Sequence, residues 1–195
     1  MPEYSTFAII LAAGESKRFG STKQLANFAN ETLVRRAVRV AEAVCGDDTV
    51  LVVGNDWQRV LAACGPQRGI IVRNDEYSSG MASSIASGVA SVPESADAVL
   101  LLLADQPLVT EKHLRSLIDE WQKAPDDIVA SEYSDVQGPP IIFPACCFGR
   151  LMKLEGDQGA RAILKDSACP VTGIAFGAGA IDIDTPEDLA GLMKS

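Results

Sequence analysis

Phe7-Ala8-Ile9-Ile10-Leu11-Ala12-Ala13-Gly14-Glu15-Ser16-Lys17-Arg18-Phe19-Gly20-Ser21-Thr22-Lys23 decides how the rest of the chain is read. Phe7 to Ala13 is an unbroken apolar run, of a length that suits a strand covered on both faces. Gly14 ends it. From Gly14 to Lys23 the chain carries two glycines, three hydroxyls and three cations against one acid, Glu15. Such a loop directly after a buried strand suits a polyphosphate. Glycines let backbone N–H groups turn toward an anion, and Lys and Arg neutralise it. Spacing excludes two common phosphate loops. The Walker loop needs four residues between its glycines and then Lys-Ser/Thr; here five separate Gly14 from Gly20, and Lys23 follows the hydroxyls. The dinucleotide fingerprint fails at Ser16, where a second glycine is required.

At 195 residues the chain is expected to form one domain, residues 1–195, burying roughly 70% of its unfolded surface. It is 47% hydrophobic and 22% charged, which fits a soluble globular protein. No apolar run reaches the ~20 residues that cross a bilayer. MPEYST has no basic region of the kind that opens a secretory signal, so a cytoplasmic location is expected. A formal net charge of −9 argues against general binding to nucleic acid or anionic membranes. The cysteines are Cys45, Cys64, Cys146, Cys147 and Cys169. Their odd number and lack of a CxxC fit reduced thiols better than a disulfide framework or a zinc site. The single histidine, His113, falls in a helical pattern and reads as a surface residue; one His makes a Ser-His-Asp or Cys-His hydrolase improbable.

Helical spacing of Leu33, Val34, Ala37, Val38, Ala41 and Val44 predicts a helix from Thr32 to Cys45. Strands follow at Thr49 to Val53 and Gly69 to Arg73, with a short helix between them capped by Asp56. Ser79-Gly80-Met81-Ala82-Ser83-Ser84-Ile85 reads as a glycine turn opening a helix through Ala90. Its small side chains admit either a close ligand or tight packing. Asp97 to Ala104 is the most apolar run and is expected to be the central strand. It ends in Asp105-Gln106-Pro107, so Asp105 either stands at the usual ligand edge of the sheet or caps the next helix. That helix runs from Thr110 to Lys123. Asp127 to Ser131 and Gly138 to Phe143 read as strands, and Pro144 to Leu154 as a helix. Gly156-Asp157-Gln158-Gly159-Ala160-Arg161 reads as a helix start with Asp157 as cap and Arg161 one turn in. Asp182 and Asp184 alternate on a short expected strand. Thr185, Pro186, Glu187 and Asp188 then form a strong helix start. Alternation of strands and helices predicts a sheet with helices on both faces.

Leu11-Ala12-Ala13-Gly14, Ser16, Arg18, Phe19-Gly20 and Lys23 resemble the signature loop of the MobA-like NTP transferases. These include the molybdenum cofactor guanylyl- and cytidylyltransferases and the sugar-phosphate nucleotidyltransferases. Gly80, Ser83 and Ser84, the Asp105-Gln106-Pro107 triplet and the segment from Asp182 to Leu189 are similar to further motifs of these enzymes. Gly156 to Arg161 matches the G-D-x-G-A-R of the cytidylyltransferase branch. Pro139 departs from that branch, which carries His there. The resemblance implies a three-layer Rossmann-like α/β sandwich with a mostly parallel central sheet, like the nucleotide-diphospho-sugar transferases. It implies transfer of CMP from CTP to the terminal phosphate of molybdopterin, with Mg²⁺ as cofactor and release of pyrophosphate. It implies that Leu11, Ala12, Ala13, Gly14, Ser16, Arg18, Gly20, Lys23, Gly80, Ser83 and Ser84 hold the nucleotide. Arg18, Lys23 and Asp105 would be catalytic. Asp105 with Asp184 or Asp182 would hold the metal, and Gly156, Asp157 and Arg161 would face the acceptor. Two alternatives stay open: the same fold acting on another NTP or phosphorylated acceptor, and a non-catalytic carrier of cofactor for a molybdoenzyme client.

Overall fold

A computed structural model describes residues 4–133, 135–165 and 169–194. In chain order, β1 (Thr6–Ala12) leads into the glycine loop and a small antiparallel pair, β2 (Asn27–Phe28) and β3 (Glu31–Thr32). Then come α1 (Leu33–Cys45), β4 (Thr49–Val53), α2 (Trp57–Cys64), β5 (Ile70–Arg73), α3 (Met81–Ala90) and β6 (Ala98–Leu103). The second half holds α4 (Glu111–Trp121), β7 (Ile128–Tyr133), β8 (Val136–Pro144), α5 (Phe148–Leu151), α6 (Arg161–Lys165), β9 (Val171–Ala175) and α7 (Pro186–Leu192).

The main sheet has the order β5-β4-β1-β6-β8-β7-β9. All its pairings are parallel except those of β8 with β6 and β7. Alternation along β1 splits the core in two. Ala8, Ile10 and Ala12 face Val34 and Val38 of α1, Val60 of α2 and Leu114, Leu117 and Trp121 of α4. Phe7, Ile9 and Leu11 face Ile85 and Val89 of α3, Leu151 of α5 and Ile163 of α6. Helices on both faces explain why β1 is apolar throughout. Leu100 and Leu101 of β6 are fully buried on opposite faces; cutting either to Ala would cost about 2–5 kcal/mol.

The chain builds outward from β1 to β4 and β5, then returns to place β6 on the other side of β1. The reversal between β1 and β6 is a topological switch point, where loops leaving the C-terminal ends of the strands diverge and open a crevice. The glycine loop follows β1 and Asp105 follows β6, so both flank that crevice.

Local signals placed the helix starts well. Thr32, Thr110 and Thr185 each accept from the backbone N–H three residues on, and Thr185 with Asp188 completes a capping box. Asp56 stands at the N-cap position of α2 but does not cap; its carboxylate accepts from Thr22 Oγ1 at 2.7 Å and from Arg59. The helix expected from Pro144 to Leu154 is a 3₁₀ turn (Ala145–Cys147) followed by the single turn of α5. Residues 181–184 do not form the expected strand. Ile183, fully buried, donates its N–H to the Asp105 carbonyl at 2.9 Å, so the segment is held by a loop rather than by a sheet edge.

Pro139 and Pro140 sit in the middle of the interior strand β8, where a ladder N–H is normally needed. A register shift between Ala130 and Ser131 lets the pairing jump from Ile141 to Gly138, past both prolines. Ser131 Oγ donates to the Pro140 carbonyl at 2.8 Å and Gln106 Nε2 to that of Pro139 at 3.2 Å. His113 is buried rather than on the surface. Its Nε2 lies 2.7 Å from Ser131 Oγ and its ring stacks on Phe176 at 3.9 Å. Ser131 spends its proton on Pro140, so Nε2 carries the hydrogen of a neutral imidazole. Burial lowers the His113 pKa to about 4.

Candidate active site

The glycine loop is braced from within. Ser16, at a left-handed φ of 56°, donates through Oγ to Gln24 Oε1 at 3.2 Å and accepts from the Lys23 N–H at 3.1 Å. Gln24, buried, donates to the Gly14 carbonyl at 3.1 Å, closing the ring. Gly20, at φ +75°, takes a turn that L side chains resist. The brace commits the Ser16 hydroxyl to the loop itself and presents Gly14, Glu15, Lys17 and Lys23 to a cleft of about 320 Å³.

Each cation of the loop is paired with an acid. Lys17 meets Glu15 at 2.7 Å on the exposed rim. Arg18 Nη2 meets Asp184 Oδ2 at 2.8 Å, with most of its side chain in solvent. Lys23 Nζ lies 2.5 Å from Asp105 Oδ2 and 3.1 Å from Asp184 Oδ1. Burial pulls the Lys23 pKa down, but Asp105 and Asp184 outweigh it and the ammonium is held above its ordinary value. Desolvation, then the negative charge of Asp105, raises the pKa of Asp182 despite a hydrogen bond from Gln106. The backbone N–H groups of Asp184 and Thr185 both donate to Asp188 Oδ2, which fixes the chain at Asp184.

Asp105 Oδ1 is buried and has no hydrogen-bond partner among the described residues. An orphaned carboxylate oxygen beside an ammonium bound to two acids is the donor arrangement a hard divalent cation needs. Asp105 and Asp184 therefore fit such an ion, with Lys23 marking the seat of positive charge.

The opposite wall is built from the start of α3. Gly80, at φ +116°, and Met81 and Ser84 face the cleft beside Tyr77. A Cβ at Gly80 would strike the Gly156 carbonyl, and the Ala82 N–H donates to that same carbonyl at 3.1 Å. Gly80 and the Gly156–Asp157 turn are thus one packed unit, and Asp157 reaches the cleft. Asn74, just beyond β5, orders this wall. Its Nδ2 donates to Ser83 and Ser84 at 2.9 and 3.0 Å, and its Oδ1 accepts from the Glu76 N–H.

The residues singled out from sequence do not all converge. Leu11, Ala13, Gly14, Lys23, Gly80, Ser84, Asp105 and Asp157 line the cleft. Ala12 packs with the helices of the other face. Ser83 is engaged with Asn74 and the carbonyls of Glu76 and Gly80. Arg161 opens α6 rather than standing one turn in, and Asp157 lies in the preceding turn rather than at its cap. Arg161 Nη2 donates to the Tyr133 hydroxyl at 2.8 Å, and its guanidinium lies over that ring. Gln24, Asn74 and Gln106 position the site and were not foreseen as such. Each is a buried polar residue beside a loop, a pattern visible in sequence only once the burial is known.

The family model of the MobA-like NTP transferase domain matches residues 8–171. The purine catabolism protein PucB of Bacillus subtilis (strain 168) is 31% identical over 199 residues, covering 92% of each chain. The nicotine blue oxidoreductase of Paenarthrobacter nicotinovorans is 30% identical over 166 residues, 80% of each chain. The crystal structure of Rv0371c from Mycobacterium tuberculosis H37Rv in complex with manganese covers 100% of both chains, with a TM-score of 0.81 and 28% identity. More distant solved structures share the α/β fold of the nucleotide-diphospho-sugar transferases. No helix among the described residues is long and apolar enough to cross a membrane.

Proposed function

Because this chain belongs to the MobA-like NTP transferase family, we propose that it transfers CMP from CTP to the terminal phosphate of a molybdopterin-type acceptor and releases pyrophosphate. The observation that carries the reading is Lys23 held between Asp105 and Asp184 at the mouth of the glycine loop. Cations of the phosphate loop and acids suited to a metal meet there, at the switch point of the sheet. The complete Gly156–Arg161 segment supports the cytidylyltransferase branch. The small side chain of Ala13 on the cleft wall, where the guanylyl branch has Gly, supports CTP by analogy.

In this account an oxygen of the acceptor phosphate attacks the α-phosphorus of CTP. A new P–O bond forms as the bond from the α-phosphorus to the bridging oxygen of pyrophosphate breaks. The acceptor oxygen is already ionised, so no strong general base is required. The work of the protein is positioning and charge neutralisation. Backbone N–H groups around Gly14 and Gly20 meet the triphosphate. Lys23 and Arg18 exchange their carboxylate partners for phosphate oxygens and neutralise charge at the α-phosphate and the leaving group. Asp105 and Asp184 would hold Mg²⁺, which supplies charge neutralisation and a fixed template for the phosphates. Gly80 and Ser84 line the nucleoside. Asp157 reaches the acceptor side of the cleft, and Arg161 anchors that side through Tyr133.

Pyrophosphate release tests the reading, with each NTP offered together with the phosphorylated pterin. The expected result is one pyrophosphate per acceptor consumed, with CTP. In Asp105→Asn turnover should fall by about 10²–10³-fold or more, with a smaller change in nucleotide affinity. Wild-type turnover in that variant would refute the metal role of Asp105. Preference for another NTP would overturn the choice of base.

A further inference from the structure

Three thiols converge at the edge of the sheet opposite the cleft. Cys146 and Cys147 lie on the 3₁₀ turn after β8, and Cys169 lies just before β9. Pro144, at the end of β8, pairs with Ala98 at the start of β6. The cluster therefore sits near the N-terminal ends of the parallel strands, whereas the glycine loop and Asp105 sit at their C-terminal ends. Cys169 Sγ is 3.5 Å from that of Cys146 and 3.9 Å from that of Cys147, and all three sulfurs lie within 4.8 Å of one another.

These separations match what a soft cation asks of its ligands. A Zn–S bond of ~2.3 Å gives a sulfur–sulfur edge of ~3.8 Å in a tetrahedron and ~4.0 Å in a trigonal plane. Three donors already at that spacing can close on an ion without moving the backbone far. The inner side of the cluster is apolar, since Cys147 and Cys169 pack with Leu151, Ile163 and Val171. Cys146 is exposed and leaves a way in. A disulfide would use two of the sulfurs and leave the third without a purpose. The proposed transfer reaction uses none of them.

We propose that Cys146, Cys147 and Cys169 form a binding site for one thiophilic d¹⁰ cation, Zn(II) or Cu(I), bound by three thiolates with its open position toward solvent on the Cys146 side. Thiolate donors select these ions over the hard cations that suit the carboxylates of the cleft. Binding replaces three S–H bonds with three S–metal bonds and releases three protons. Burial pushes the Cys147 thiol up to about 12, and burial together with Cys169 raises that of Cys146. Affinity should therefore climb with pH.

The test uses the full chain, reduced and stripped of metal. Co(II) is titrated as a spectroscopic substitute for Zn(II). Zn(II) and Cu(I) are then each titrated against a chromophoric chelator of known affinity, which tells the two apart. The expected result is one equivalent bound, with a thiolate-to-cobalt charge-transfer band. Affinity should be at least ~100-fold weaker in Cys146→Ser and in Cys169→Ser, while Cys45→Ser titrates as wild type. Circular dichroism of the serine variants establishes that the loss is not unfolding. Three results would overturn the proposal. One is no charge-transfer band and no competition with either chelator. Another is stoichiometric binding that survives in the Cys146→Ser/Cys169→Ser double variant. The third is quantitative conversion by hydrogen peroxide to a Cys146–Cys169 disulfide in protein that binds neither ion.

Discussion

Lys23→Met removes one ammonium, keeps most of the side-chain volume, and leaves Asp105 without its cation and Asp184 with only the largely exposed Arg18. The side chains of Lys23, Asp105 and Asp184 are 15%, 19% and 34% exposed. A fully buried pair broken on one side costs about 3–5 kcal/mol, and an exposed pair at most ~1 kcal/mol. This triad lies between those limits, so a loss of ~2 kcal/mol at neutral pH is expected. For a chain of this length that lowers Tm by about 4–8 °C. Lys23 has a raised pKa, so its contribution is full below the unfolded value of 10.5 and is lost as pH rises through the higher folded value. The wild-type and variant stabilities should accordingly converge in strong alkali. A second arm isolates the acids. Without the ammonium, millimolar Mg²⁺ or Mn²⁺ should raise the Tm of Lys23→Met more than that of wild type, because the ion no longer competes with an internal cation. Thermal unfolding followed by circular dichroism reads both effects. A Tm within about 1 °C of wild type, with the same response to divalent cations, would refute the idea that Lys23 occupies a shared cation seat.

Two further substitutions probe other parts of the account. Gly80→Ala places a Cβ against the Gly156 carbonyl at a left-handed φ. It should cost about 1–3 kcal/mol in urea unfolding and weaken nucleotide binding; unchanged stability and binding would show that the two turns are not packed as one unit. His113 is neutral in the folded chain, with a pKa near 4 against an ordinary 6.5. Its contribution is complete above pH ~6.5 and is lost as pH falls toward ~4, by up to ~3 kcal/mol. His113→Gln, which keeps a donor for Ser131, should flatten that slope in urea unfolding across pH, and an unchanged slope would assign the acid sensitivity elsewhere.

What was legible in the sequence was what is locally encoded. The apolar runs of β1 and β6 announced strands covered on both faces, and Thr185 announced the start of α7, whereas Thr32 and Thr110, read as the first residues of α1 and α4, cap them instead. Pairing across the sheet was not legible. β8 runs against its neighbours and carries two prolines in an interior position, which local rules disfavour. They are accommodated by a register shift and by donors from Gln106 and Ser131, residues distant in sequence. His113 read as a surface residue because its partners, Ser131 and Phe176, arrive from β7 and the segment after β9. In the site, charge and glycine spacing marked Lys23, Asp105 and Gly80 as candidates. The mutual pairing of Arg18, Lys23 and Asp184 required the long return of the chain after β9. Arg161, at the start of α6, turned toward Tyr133 for the same kind of reason: its partner belongs to β7, 28 residues earlier.

Calorimetric titration of the protein with CTP, GTP, ATP and UTP, each with and without Mg²⁺, tests the central claim most directly. The account predicts binding selective for CTP and dependent on Mg²⁺, because the triphosphate must draw Lys23 and Arg18 away from Asp105 and Asp184. Failure to bind any nucleotide, with the phosphorylated acceptor present as well as absent, would contradict it.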